Sequence, residues 1–192
     1  MGLYLVSGPT EEPIKIEEVK DHLRITIDTE DALLAEYIKV ARQHCEKLQN
    51  KVYLTQIWDW YMDDFPDVPI DVPLPPLQSV THIKYTDVDD TQTEYSSDYY
   101  NVDIYNTPGR INLAWGCVWP SVTLKTLNPI VIRFVAGYTA ANKVPESVKH
   151  AIKLLIGHLY EHREETSTER ILENIPLGIY ALLDIDRMVK FP

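Results

Sequence analysis

The sequence predicts an α+β chain that is mainly helical, a helical body interrupted by a β-rich insertion. Three observations carry this expectation. Apolar residues recur at helical spacing before residue 51, the period drops to two from Leu54, and helical spacing returns after Pro145. The expected organisation is a single domain over 1–192, with 14–51 and 145–192 as the helical body and 52–144 as the insertion.

A first helix is expected over 16–23, where Glu17 and Glu18 sit in the first turn and suit the positive end of the helix dipole. Thr26 or Asp28 is expected to cap the second helix. There Leu34, Ile38, Ala41, Cys45 and Leu48 make one apolar stripe, a core face or a subunit interface, with Lys39, Arg42, Glu46 and Lys47 off it. From Leu54 alternate residues share a face: Trp58, Trp60 and Met62 on one side of a strand, Asp59, Tyr61 and Asp63 on the other. Asp64-Phe65-Pro66-Asp67 breaks that strand, and Pro69, Pro73, Pro75 and Pro76 hold the following stretch extended and ill suited to a central position.

Further strands are expected over 79–86, 92–95, 99–104, 110–113 and 130–135, with turns at 87–91 and at Pro108-Gly109, forming a sheet or small barrel. After the glycine break at Gly137, Pro145 suits the first position of a helix, where its missing N–H costs nothing. Val148, Ile152, Leu155 and Leu159 form the apolar face of that helix. Residues 164–174 read as an exposed polar loop, and a last helix is expected from Pro176 or Leu177 to about Met188.

Charge and composition exclude several classes. The net charge is −11, more than half of it within 52–144, and no stretch is basic. A chain without a Lys/Arg stripe is poorly equipped to neutralise phosphates, so tight nucleic-acid binding is not expected. No window approaches the roughly 18 apolar residues of a membrane span. No basic residue precedes the short apolar run at the N-terminus, and Val6 stands where a myristoylation pattern needs Ser or Thr; no membrane partner is expected, and synthesis in a cytoplasm is. Cys45 and Cys117 are expected to be small buried hydrophobes in a reducing compartment.

The motifs that could carry chemistry are few. His158-Leu159-Tyr160-Glu161-His162 places two imidazoles at i and i+4 on one helix face, as in one class of zinc peptidases. A third ligand is missing from the short stretch that follows, so no metal or other cofactor is expected, and a small metal- or ligand-binding enzyme using His158 and His162 stands as the alternative function. Asp87, Asp89, Asp90 and Glu94 begin like a calcium loop but lack its glycine and closing glutamate, and a hairpin turn accounts for them. Asp63, Asp64, Asp67 and Asp71 lie along a proline-rich edge without fixed geometry. With seven glycines and no nucleophile elbow or phosphate loop, enzyme activity is not expected. Tyr95, Tyr99, Tyr100 and Trp115 are candidates either for contacts between subunits or for sheet packing.

Five passages, in this order and spacing, resemble the phage head–tail connector (adaptor) proteins. They are Glu17-Glu18-Val19-Lys20-Asp21-His22-Leu23-Arg24; the helix from Asp31 with Ala41-Arg42; Leu74-Pro75-Pro76-Leu77-Gln78-Ser79-Val80 leading to Ile83-Lys84-Tyr85; Trp119-Pro120; and Ala136-Gly137-Tyr138 through Val144-Pro145-Glu146 to Tyr160-Glu161-His162-Arg163. The closing Gly178-Ile179-Tyr180-Ala181-Leu182-Leu183 also fits, while the turn Asp89-Asp90 departs from the family's usual Asp-Gly. The resemblance implies a helical body with a β-rich insertion, no enzyme activity, and a homo-oligomeric ring under the portal of a tailed phage. Its implied partners are other copies of the chain, the portal protein and a tail-side or stopper protein. DNA would pass through the ring, which would sit at the head–tail junction of a virion assembled in a bacterial cytoplasm. Ile171 and Leu172 in the polar loop, and Asp186, Arg187, Met188, Val189 and Phe191 at the C-terminal end, are the candidate partner interface, since apolar residues near a free terminus are often ordered by a neighbour.

Overall fold

The run Ile130-Val131-Ile132-Arg133-Phe134-Val135-Ala136 is the middle strand of the largest sheet, and most of its side chains are removed from solvent whichever face they point to. The structure, a computed structural model, describes residues 2–162, 177–185 and 187–188. Its strands are β1 (Gly2–Ser7), β2 (Gln56–Met62), β3 (Ile70–Asp71), β4 (Leu77–Thr86), β5 (Gln92–Tyr95), β6 (Tyr100–Asp103), β7 (Arg110–Leu113) and β8 (Ile130–Ala136). Its α-helices are α1 (Ile16–Leu23), α2 (Asp31–Gln49), α3 (Glu146–Glu161) and α4 (Leu177–Asp184). The chain divides into two compact units, residues 1–10 with 55–138, and residues 11–54 with 139–192.

The first unit is all β. One sheet has the order β1-β2-β8-β4-β5 with every neighbour antiparallel, and a smaller one has the order β3-β7-β6. Cross-strand pairs Trp58–Phe134, Trp60–Ile132, Met62–Ile130 and Ile132–Ile83 gather the apolar residues on one face. Met62, Ile83, Ile130, Ile132 and Phe134 are buried there, each stabilising the fold by about 1.5–3 kcal/mol relative to exposure. On the other face Asp59 lies opposite Arg133 and accepts two hydrogen bonds of 2.7 Å from its guanidinium. The two sheets are joined by close backbone approaches. A Cβ at Gly109 would stand 2.5 Å from the Cβ of Leu77, so only glycine lets the turn before β7 pass β4, where its carbonyl accepts from the Val72 N–H at 2.8 Å.

The second unit is helical. α2 packs against α1, α3 and α4, and α3 against α1 and α4. Leu34, Ile38, Ala41 and Cys45 on α2 meet Val148, Ala151, Ile152, Leu155 and Ile156 on α3 within one buried set that also holds Val19, Tyr53, Ile179 and Leu183. Burial pushes the Cys45 thiol up to about 12, so it is an inert apolar group. Arg24 caps the C-terminal end of α1 and Asn50 that of α2, both in the left-handed region that closes a helix.

The expectation of a mainly helical chain is overturned. Helix and strand hold comparable shares, 33% and 28%, in two sheets and four α-helices among the described residues. The β part has a core of its own, and the chain's first residues add a strand to it that periodicity over so short a segment did not reveal. Smaller corrections have local causes. α2 starts at Asp31 with Glu30 as its N-cap, so neither Thr26 nor Asp28 caps it, although the Asp28 carbonyl accepts from the Asp31 N–H at 3.2 Å. Pro145 is the N-cap residue of α3 rather than its first helical position. α4 ends at Asp184, four residues short of Met188. Arg42 and Glu46, placed off the apolar stripe, are buried because they pair with each other, Nη1 to Oε2 at 2.7 Å. Residues 164–174, expected to form a polar loop, lie outside the described residues.

Candidate interaction surface

Within the β unit, the chain between β7 and β8 is held against the end of β4 and the turn that follows it by a few backbone bonds. The Val88 N–H donates to Thr123 at 3.2 Å and the Lys125 N–H to Thr86 at 3.1 Å. Tyr95 closes the near end, its hydroxyl donating to the Val118 carbonyl at 3.0 Å, and Trp119 donates to the Pro66 carbonyl at 3.0 Å. These bonds assemble an aromatic cluster. Phe65 stacks on Trp119 with ring centres 5.0 Å apart, and Trp119 and Tyr99 lie 5.2 and 5.4 Å from Tyr95. Beside it opens a cleft of about 560 Å³, lined by Tyr85, Tyr95, Tyr99, Cys117 and Trp119 among others.

On the same stretch between β7 and β8, large apolar side chains face solvent. Trp115 is fully exposed, and Val118 and Leu127 are also exposed. In the loop between β6 and β7, Tyr105 is 94% exposed. That loop is fixed by Asp103, which accepts from the Tyr105 N–H at 3.0 Å, from Arg110 at 3.0 Å and from Asn106. The Arg110 and Asn106 side chains hold the Asp103 carboxyl down at about 2. Of the four aromatic candidates, Tyr95 and Tyr100 are buried in the sheet, whereas Tyr99 and Trp115 are exposed. Trp and Tyr on pinned loops offer large contact area with little side-chain freedom to lose, and such residues dominate binding at protein interfaces.

A second feature belongs to this unit. β1 lies at the edge of the five-stranded sheet with all six residues exposed, among them Leu3, Tyr4, Leu5 and Val6. Sequence reasoning missed it, although four consecutive apolar residues in a window of strand formers were a signal of a kind.

Within the helical unit a cleft of about 560 Å³ has Ile14, Ile16, Ala35 and Ile38 on its walls and Glu11, Glu17, Lys39 and Lys149 among its charged residues. Near it, Glu12 accepts from the Arg42 Nε at 2.8 Å, and Glu46 accepts from the Tyr53 N–H at 2.9 Å. Burial pushes the Glu46 carboxyl above its usual range, with Arg42 pulling against it.

Of the predicted interface residues, Ile171, Leu172, Asp186, Val189 and Phe191 lie outside the described residues. Arg187 is exposed, its guanidinium 3.5 Å from Asp184. Met188 is half-buried and tied to the end of α2: its N–H donates to the Gln49 carbonyl at 3.0 Å and its carbonyl accepts from Asn50 at 3.1 Å. His158 and His162 have ring centres 4.4 Å apart, with His162 Nδ1 2.9 Å from the His158 carbonyl oxygen. Among the described residues no group of three His, Cys, Asp or Glu side chains could hold a metal ion. No described helix is long and apolar enough to cross a membrane.

The fold occurs in solved structures of gene transfer agent (GTA) particles. A chain in the virion of the native GTA particle matches with a TM-score of 0.79 at 21% identity, over 100% of this chain and 98% of that one. A chain in the neck of the empty particle computed with C6 symmetry matches with a TM-score of 0.81 at 21% identity and the same coverage. One in the neck of the native particle computed with C12 symmetry matches at 0.77 and 22%, again over 100% and 98%. No curated protein sequence matches significantly. The model of the phage gp6-like head-tail connector proteins matches residues 13–109, more than half of the chain, from the helical unit through the turn that precedes β7. The chain therefore belongs to the phage gp6-like head-tail connector family.

Proposed function

We propose that this connector protein assembles into a ring of identical copies at the head–tail junction of a phage-like particle, beneath the portal, and that DNA passes through the ring. The observation that carries this proposal is the match over the whole chain to proteins of particle necks computed with C6 and C12 symmetry. The charge agrees with it. A chain of net charge −11 without a basic stripe lets a duplex pass without holding its phosphates. The protein acts as a structural piece without catalysis. His158 and His162 supply two donors, and an enzyme built on them would need a third from outside the described residues.

The residues after α4, Asp186, Arg187, Met188, Val189 and Phe191, together with Ile171 and Leu172, contact the portal or a tail-side protein. Arg187 is the testable member, because it is exposed and leaves the Met188 backbone bonds untouched when changed. Full-length protein added to portal-bearing heads should attach as a ring of many copies visible by cryo-electron microscopy, and not attach to heads without portal. Arg187→Glu should weaken attachment while melting at the same temperature. A chain that stays monomeric and binds neither kind of head overturns the proposal.

A further inference from the structure

We propose that β1 of one copy pairs with β5 of the next, so that the five-stranded sheets run on from subunit to subunit; this rests on the ring assembly proposed above.

The sheet order leaves β1 and β5 at its two ends, and among the described residues neither has a strand on its outer side. An outer edge presents a row of N–H and C=O groups at strand spacing, which an extended segment of another chain satisfies. Protein edges that must stay single are blunted by charge, by proline or by covering elements. β1 has none of these: Gly2-Leu3-Tyr4-Leu5-Val6-Ser7 is uncharged, proline-free and exposed along its whole length. Its one irregularity is a bulge at Val6, near its end. On β5 Gln92, Thr93 and Glu94 are all exposed, and the Glu94 carboxylate already faces Lys84 at 3.8 Å. An uncharged strand therefore meets no unpaired charge there.

Strand direction selects the occupant. Four antiparallel steps separate β1 from β5, so the two edges run the same way. A rotation that carries the sheet sideways brings β1 of one copy alongside β5 of another in parallel, using a different edge on each copy. Such a head-to-tail contact is what a closed ring requires. Pairing β1 with β1 would use the same edge twice and stop at a dimer.

Disulfide trapping in the full chain tests the arrangement. Cys117→Ser removes the accessible native thiol, while Cys45 is buried and stays silent. In that background, cysteines at Leu3, Tyr4 or Leu5 are combined with cysteines at Gln92, Thr93 or Glu94 and the protein is oxidised. At least one pair should give a ladder of covalent multimers, and none of the single-cysteine variants should. In parallel, Tyr4→Lys should abolish the ring mass with unchanged thermal melting. Rings that form normally while no pair gives a ladder overturn the β1–β5 contact and leave ring assembly standing. A dimer from Tyr4→Cys alone with no ladder from the pairs overturns it in favour of β1–β1 pairing. A native chain that forms no ring, alone or on portal-bearing heads, overturns both.

Discussion

Arg42 lies one residue beyond Ala41, off the apolar stripe of α2, where a charged residue would ordinarily be solvated. It is instead buried between Glu12 and Glu46. The pair persists because both ends are satisfied: Glu46 also accepts from the Tyr53 N–H. Arg42→Met would remove the cation that pairs with the buried Glu46 carboxylate, and the expected loss is about 3–5 kcal/mol in denaturant unfolding. Adding Glu46→Gln should recover part of it, because the buried charge is gone while an amide oxygen remains to accept from the Tyr53 N–H. The pH dependence follows from the raised Glu46 carboxyl. Its folded form holds the proton to a higher pH than the unfolded value of 4.5, so ionisation weakens the fold as pH rises past that value. Without Arg42 the raise is larger, and the single variant should lose stability more steeply than the native chain between pH 4.5 and neutrality. An equal slope in the two would mean that Arg42 does not govern this carboxyl.

At the level of elements, α4 shows how a short helix is kept in place. Eight residues do not hold a helix in water unaided. Ile179 and Leu183 are buried, and the end of α2 provides the polar anchor. Gln49 donates to the Leu183 carbonyl at 2.6 Å while accepting from the Tyr53 hydroxyl at 2.7 Å. Gln49→Ala removes both of these bonds and is expected to cost about 1–3 kcal/mol. Hydrogen exchange should quicken over 177–185 and stay unchanged in β2, β4 and β8. Uniform protection in native and variant protein would show that packing alone retains α4.

For the whole molecule, charge governs association. Each copy carries −11, so copies brought side by side repel, and the repulsion is screened over about 8 Å at physiological salt. Self-association should therefore strengthen between roughly 0.01 and 0.15 M salt, read as the fraction of ring mass at fixed protein concentration. Weakening over that range would mean that ion pairs between subunits carry the contact. Exposed Trp115 and Tyr105, and the uncharged β1 edge, are the kind of surface that associates despite like net charge.

Local chemistry made much of this chain legible. α1 over 16–23, β5 over 92–95 and β7 over 110–113 fall where spacing and turn residues placed them, since their period and punctuation lie within a few neighbouring positions. The order of short motifs along the chain also pointed to the connector family before any fold was known. Long-range partnership decided the rest. β1 is a strand because β2 lies beside it, and the weight of the β part follows from pairs such as Asp59–Arg133, 74 residues apart. Arg42 is buried because Glu12, thirty residues away, meets it. Of the interface expected near the C-terminus, Met188 turned out to be tied to α2, a contact 138 residues distant in the case of Asn50. Hydrophobic periodicity reports which face of an element is apolar, but the partner that covers a charge, pairs an edge or anchors a terminus is chosen only when distant segments meet.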